Sequence, residues 1–242
     1  MATKQNKGGF GETLRTVIYA VLIALVIRTF AFEPFSIPSG SMIPTLLVGD
    51  YLFVSKYAYG YSRFSLPLGL PLFNGRIMAD QPERGDVAVF KLPADNSTDY
   101  IKRVIGLPGD RIQVVDGILQ INGEAVKREK VRETRVGQAA VTIYRETLPN
   151  GRTHLIRERG DENYFDNTPV YEVPKGHYFM MGDNRDSSQD SRALQRVGYV
   201  PFENLVGRAE VVFFSHDGSA SIWEVWNWPT AIRYGRLLHG ID

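Results

Sequence analysis

The stretch RIQVVDGILQING, residues 111–123, decides the fold class. Two short apolar runs, IQVV and ILQI, flank Asp116-Gly117, and Asn122-Gly123 follows at once. These are the dipeptides that two-residue hairpin turns favour, because both central positions need positive φ. A tight antiparallel hairpin is therefore predicted here. Working outward, similar strand-like runs separated by Gly, Pro, Asn and Asp recur at Tyr51–Ser55, Asp86–Leu92, Tyr100–Ile105, Val141–Tyr144, His177–Met181 and Glu210–Phe214. No long stretch after Phe32 has helical periodicity, so this part is predicted to be mainly β, an antiparallel sheet domain. Residues 111–174 are its most charged and least apolar portion, which reads as a smaller β subdomain inserted into the main sheet. No internal repeat or low-complexity segment interrupts it.

Upstream the pattern is different. Leu14 to Phe32 reads LRTVIYAVLIALVIRTFAF, broken only by Arg15 and Arg28. A membrane-spanning helix needs roughly 20 mostly apolar residues, and an arginine near its end can extend its head group to the interface. Lys4, Lys7 and Arg15 precede the apolar core against a single Glu12, which by the positive-inside tendency keeps the N-terminus in the cytoplasm. The expected organisation is a cytoplasmic tail (1–12), a transmembrane anchor (13–32) and an extracytoplasmic β-rich domain (33–242). A cleavable secretory signal with a processing site at Thr29-Phe30-Ala31 is the competing reading of the same residues.

Composition narrows the chemistry. The chain has 242 residues, no cysteine, four histidines and a formal net charge of +1. Absence of cysteine excludes disulfides, thiolate metal sites and a cysteine nucleophile, and near-neutral charge gives no bulk reason to bind nucleic acid. Two segments are unusually apolar for loops: Phe64–Phe73, and the region holding Trp223, Trp226 and Trp228. Trp favours the membrane–water interface, so both segments are candidates to rest on a lipid bilayer, with packing on the β core as the plainer alternative for the tryptophans.

Three elements carry candidate chemistry, and each alone is weak. Ser39-Gly40-Ser41-Met42-Ile43-Pro44 sets a serine between a glycine and a proline-restricted turn. Tyr100-Ile101-Lys102-Arg103-Val104-Ile105 places a lysine in an apolar strand, where it is either a solvated edge residue or a buried amine with a depressed pKa. Gly182-Asp183-Asn184-Arg185-Asp186-Ser187-Ser188-Gln189-Asp190-Ser191-Arg192 crowds carboxylates and guanidiniums together. Its arginines argue against a calcium loop and for an internally paired loop that orients something else.

Taken in order, these elements resemble those of the bacterial type I signal peptidases, membrane-anchored serine proteases that remove signal peptides from exported proteins. The resemblance covers the apolar helix, PSGSMIPTL, GDVAVF at Gly85–Phe90, YIKRVIGLPGD at Tyr100–Asp110 and GDNRDSSQDSR at Gly182–Arg192. It implies a Ser/Lys dyad in which Ser41 is the nucleophile and Lys102 the general base. It further implies that Ser188 hydrogen-bonds the lysine, and that Ser39 joins the Ser41 backbone N–H in an oxyanion hole. Arg103, Asp183, Asp190 and Arg192 would hold the site together, and Phe35, Ile37, Met42, Leu46 and Ile101 would line shallow pockets for an Ala-x-Ala-like sequence. The implied setting is the bacterial inner membrane, crossed once, with the catalytic domain on the periplasmic side. Preprotein signal peptides are the expected substrates and the export machinery a neighbour; no cofactor or metal is expected.

Other classes remain open on sequence grounds. A histidine-based serine hydrolase would use His154, His177, His216 or His239, but no Gly-x-Ser-x-Gly elbow is present. A zinc protease is disfavoured because no His-Glu-x-x-His occurs. A membrane-tethered β-rich binding or assembly module, with Ser41 a turn residue and Lys102 an edge charge, is the non-enzymatic alternative.

Overall fold

The N-terminal apolar run forms one helix, α1 (Phe10–Phe30), in the computed structural model, which describes residues 9–66, 73–137, 139–160, 162–220 and 223–241. Its mean hydropathy is 1.8 and none of its apolar 18-residue stretch is buried, so Leu14, Val17, Leu22 and Val26 stand exposed. A helix of this length rises roughly 30 Å, the thickness of a bilayer's hydrocarbon core. The helix stops at Phe30 because Phe32 is already paired with Ser55 at the start of strand β1 (Phe32–Ser36).

The junction is firmly built. Tyr61 Oη donates to the Phe30 carbonyl at 2.7 Å, and the two rings meet edge to face. Phe32 packs on Phe53 and Tyr57. Arg28 turns back to Glu33 at 2.8 Å, and Lys56 reaches the same carboxylate at 2.9 Å. Burial alone would raise the Glu33 pKa, but hydrogen bonds from Lys56 and Arg28 outweigh it and hold the group below its ordinary value. The helix end is thus fastened to the β domain rather than hinged from it.

After β1 come β2 (Asp50–Ser55), β3 (Val87–Lys91), β4 (Asp99–Gly106), β5 (Arg111–Val115), β6 (Ile118–Ile121), β7 (Glu124–Ala125), β8 (Lys127–Val136), β9 (Ala139–Thr147) and β10 (Thr153–Glu158). Then follow β11 (Tyr171–Glu172), β12 (His177–Met181), β13 (Val200–Pro201), β14 (Leu205–Ser215) and β15 (His239–Gly240). Among the described residues the principal sheet runs β1-β2-β14-β3-β4-β12-β13, with β15 beside β14. All of its pairings are antiparallel. One face buries Ile37, Met42, Leu46, Leu52, Val54, Val87, Val89, Val206, Ala209 and Val212.

The predicted hairpin is β5–β6. Asp116 and Gly117 both have positive φ (49° and 72°), as do Asn122 and Gly123 (57° and 86°). With β7 and β11 it makes a small sheet whose Ile112, Val114, Leu119 and Ile121 share a core with Ile105, Phe179 and Met181 of the principal sheet. A separate sheet, β8-β9-β10, stands beyond it. Residues 111–174 therefore divide between two sheets, and only the second stands clear of the core just described. Strand β8, KREKVRETRV, escapes sequence reading because it is exposed almost throughout and shows no alternation. It is a charged edge strand of the kind that discourages pairing with other chains.

Trp223 and Trp226 do not pack on the β core. Trp223 is 84% exposed and Trp226 72%. They lie beside the short helix α2 (Trp228–Ala231), while most of the Phe64–Phe73 segment (67–72) falls outside the described residues.

Candidate active site

Ser41 sits in a single 3-10 turn, Gly40–Met42, that follows β1, eleven residues beyond the end of α1. Since an extended chain spans at most ~3.4 Å per residue, covalent connectivity alone keeps Ser41 within about 40 Å of the helix end. The preceding Ser39 is extended (φ −127°, ψ 153°), and its hydroxyl lies 3.5 Å from that of Ser41.

Lys102 comes from the middle of β4, between β3 and β12. The side chain is buried, with only 4% of its surface exposed, and its Nζ stands 2.7 Å from Ser41 Oγ and 2.8 Å from the Ile101 carbonyl. The Tyr100 ring centre lies 5.3 Å from its Nζ. Desolvation dominates its titration and pushes the amine down to about 8, against the opposing pull of the Asp190 and Asp183 carboxylates. Of the two sequence readings, solvated edge charge or buried amine, the structure has the second. A serine hydroxyl and a lysine that can be neutral near physiological pH, in contact and away from bulk water, have the arrangement that nucleophilic catalysis without histidine requires. His154 faces Glu146, at 3.4 Å, and Ser41 meets Lys102 instead.

The loop after β12 supports this pair. Arg103, adjacent to Lys102, forks onto Asp183 through Nε (2.9 Å) and Nη2 (2.8 Å), and its Nη1 donates to the Gly85 carbonyl. Thr45 adds a hydroxyl to the same carboxylate at 2.5 Å. Burial would raise the Asp183 pKa, but Arg103 outweighs it and keeps the carboxylate ionised and low. Asp190 and Arg192 repeat the arrangement with two bonds of 2.9 Å, and Asp190 also accepts the Gly182 N–H at 3.0 Å. With Asp183 and Asp190 each forked by an arginine, this part of the loop is an internally paired scaffold.

Two sequence expectations are corrected. Ser188 does not reach Lys102: its hydroxyl is buried without a well-formed hydrogen bond and lies close to the Asp190 carboxylate and over Gly182. Gly182 has no side chain, so the Ser188 hydroxyl settles into the space a Cβ would occupy. Met42 and Leu46 do not line the cleft either. Both are completely buried within the apolar face of the principal sheet, so they shape the wall from behind. Phe35, Ile37 and Ile101 do reach the cleft, a space of about 990 Å³ that also contains Ser39, Ser41, Lys102 and Asn184.

The model of the signal peptidase family, peptidase S26, matches residues 10–214. The chain belongs to this family. A signal peptidase I of Rickettsia typhi is 45% identical over 223 residues, 88% of this chain and 83% of that protein. One of Rickettsia massiliae is 43% identical over 229 residues, 89% of this chain and 85% of that protein. Among solved structures, a signal peptidase I of Enterococcus faecalis matches at 27% identity and TM-score 0.32, covering 53% of this chain and 97% of that one.

Several supports of this signal peptidase site have no sequence signal of their own. Asn184 gives its backbone N–H to the Ser41 carbonyl (3.0 Å) and its side-chain amide to the Gly40 carbonyl (2.8 Å), clamping the Gly40–Met42 turn. Arg185 forks onto Glu146 of β9, thirty-nine residues away, which ties the loop to the outer three-stranded sheet. Burial would raise Glu146, but Arg185 outweighs it and brings the carboxyl down to about 2. Asn184 and Arg185 stood inside a quoted motif without a role. Glu146 stood in a charged stretch where nothing distinguishes it from its exposed neighbours.

Proposed function

We propose that the enzyme removes signal peptides from exported preproteins using Ser41 as nucleophile and Lys102 as general base. The contact that carries this reading is the 2.7 Å approach of a desolvated lysine amine to the Ser41 hydroxyl. In its neutral form Lys102 takes the Ser41 proton as Oγ attacks the scissile carbonyl carbon. The oxyanion that forms is met by the Ser41 backbone N–H and the Ser39 hydroxyl, fixed donors aimed at charge developing in the transition state. Lys102 then returns the proton to the departing amine, leaving an acyl-enzyme. A water that gives its proton to Lys102 hydrolyses the ester and frees Ser41.

The substrate runs as an extended strand beside β1, its backbone giving affinity and its side chains specificity. Small residues of an Ala-x-Ala-like sequence occupy the end of the cleft walled by Phe35, Ile37 and Ile101. Helix α1 crosses the bacterial inner membrane once, with the β domain on the periplasmic side. The fastened junction holds the cleft near the surface from which a signal peptide emerges, and the exposed Trp223 and Trp226 rest on the lipid.

The test is cleavage of a preprotein by the full chain in detergent micelles. Ser41→Ala and Lys102→Ala are each expected to lower kcat/KM by roughly 10³-fold or more. In the wild type, kcat/KM falls as the pH drops through about 8, because the amine takes up the proton that it must leave vacant to act as base. Cleavage that survives both substitutions, or loss on replacing a histidine with Lys102→Ala still active, overturns the dyad.

A further inference from the structure

Two arginines in the cleft have no task in the steps above. Arg157, on β10, and Arg159, just beyond it, line the cleft beside Asn184, Ser187 and Val136. Arg157 is only 8% exposed, yet its buried Nε lacks a hydrogen-bond partner. Among the described residues no carboxylate forms an ion pair with either guanidinium. The nearby Asp186 carboxylate accepts the Arg159 backbone N–H at 2.5 Å and leaves the guanidinium unpaired. Burial first, and then the charge of Arg159, lowers the Arg157 pKa. Other arginines lining this loop, Arg103, Arg185 and Arg192, are forked onto carboxylates. A guanidinium with its Nε buried and no counter-charge can be met by a ligand carboxylate, whose geometry matches it best.

Register fixes where these arginines stand. Going from the apolar end, the cleft wall runs from Phe35 and Ile37 through Ser39 to Ser41 along the chain. It continues by hydrogen bonding, since the Asn184 N–H meets the Ser41 carbonyl and Arg157 is bridged in parallel to Asn184. Each of these two backbone contacts spans about 5 Å, so the Arg157 backbone lies within roughly 10 Å of that of Ser41. An extended peptide advances ~3.3 Å per residue. Two or three residues past the scissile bond bring a side chain to Arg157 and Arg159.

We propose that Arg157 and Arg159 form a subsite for an acidic side chain at the second or third residue of the mature protein, the part released after cleavage. The assignment rests on the proposed placement of the Ala-x-Ala-like sequence at the opposite, apolar end of the cleft. The signal sequence then occupies an apolar half of the cleft and the mature chain a cationic half.

The measurement is kcat/KM for preproteins that share one signal sequence and differ only in Glu, Gln or Lys at the second or third mature position. The full chain is assayed in detergent micelles at low and high salt. Wild type is expected to prefer Glu over Gln by about 5–10-fold at low salt, the preference shrinking as ionic strength rises. The ratio falls to about one in an Arg157→Gln, Arg159→Gln double variant. Because Arg159 is exposed, Arg159→Glu is tolerated by the fold and is expected to turn the preference towards Lys. A wild-type ratio near one, or a Glu preference that persists in the double variant, overturns the subsite while leaving the dyad standing. Cleavage by Ser41→Ala would overturn the dyad instead.

Discussion

Lys102 and Arg103 are adjacent residues on β4, both cations and both buried, and they are treated in opposite ways. Arg103 is neutralised by a two-pronged ion pair with Asp183 and capped by the Gly85 carbonyl. Lys102 meets a neutral hydroxyl and a backbone carbonyl, and no carboxylate bonds it. Strand alternation turns the two side chains to opposite sides, so one position can be fully paired while its neighbour is left short of a counter-charge. The pairing on one side gives rigidity, and the deficit on the other lowers a pKa. Asp183 and Asp190 still pull the Lys102 pKa upward from a distance, and desolvation wins because each carboxylate spends its hydrogen bonds on an arginine.

The contrast can be broken first on the paired side. Asp183→Asn leaves the Arg103 charge buried without its partner, which costs about 3–5 kcal/mol of stability. Unfolding by urea in detergent micelles should show that loss, and a variant as stable as wild type would mean that the pair is solvated. On the unpaired side the sign reverses. A shift from 10.5 to about 8 means that the folded state binds a proton more weakly than the unfolded one. The unfolded chain holds the extra proton between those values, so Lys102 lowers stability fully below about pH 8, and the penalty disappears as the pH rises past 10.5. Lys102→Met removes the penalty at pH 7, which at 1.36 kcal/mol per pKa unit is an upper bound of about 3 kcal/mol, less about 1 kcal/mol for the lost contact with Ser41. The variant should therefore be inactive and more stable, with the gain fading between pH 8 and 10.5. A destabilised Lys102→Met would contradict a desolvated base.

Some of this was legible in the sequence and some was not, for physical reasons. Asp116-Gly117 and Asn122-Gly123 carry their conformation locally, because positive φ is a property of the turn residues themselves. Helix α1 declares itself by length and apolarity, since its surroundings do not have to be known. Strand β8 is silent because its only reason to be extended is the neighbouring β9, and a fully charged edge has no alternation to read. Within the site, Ser41 and Lys102 are brought into contact across sixty-one residues, and the motifs bearing them pointed to the pair. The motif around Ser188 did not disclose where its hydroxyl would turn. That depends on the empty space over Gly182, a three-dimensional fact with no linear signature. Met42 and Leu46 were pocket residues only by the family resemblance, and both side chains are fully buried in the core of the principal sheet.

The smallest change that tests the comparison is at Gly182, where the paired and unpaired sides meet. Its N–H is held by Asp190, and its Cα lies beneath both the Ser188 hydroxyl and the Ser41 carbonyl. A Cβ there would stand 2.2 Å from Ser188 Oγ and 2.5 Å from the Ser41 carbonyl oxygen, and the latter belongs to backbone that Asn184 has already pinned. Ser188 can rotate away, but the Gly40–Met42 turn cannot yield without lengthening its bond to Asn184. Displacements of about 1 Å at a reacting group cost on the order of 10²-fold in rate. Gly182→Ala should therefore lower kcat by about that factor with the ion pairs on either side intact, and with the acidic limb of the pH profile still near 8 because the surroundings of Lys102 are unchanged. A shifted limb at full kcat would show that Gly182 acts on Lys102 and not on Ser41, and the division between the two sides of β4 would then be drawn in the wrong place.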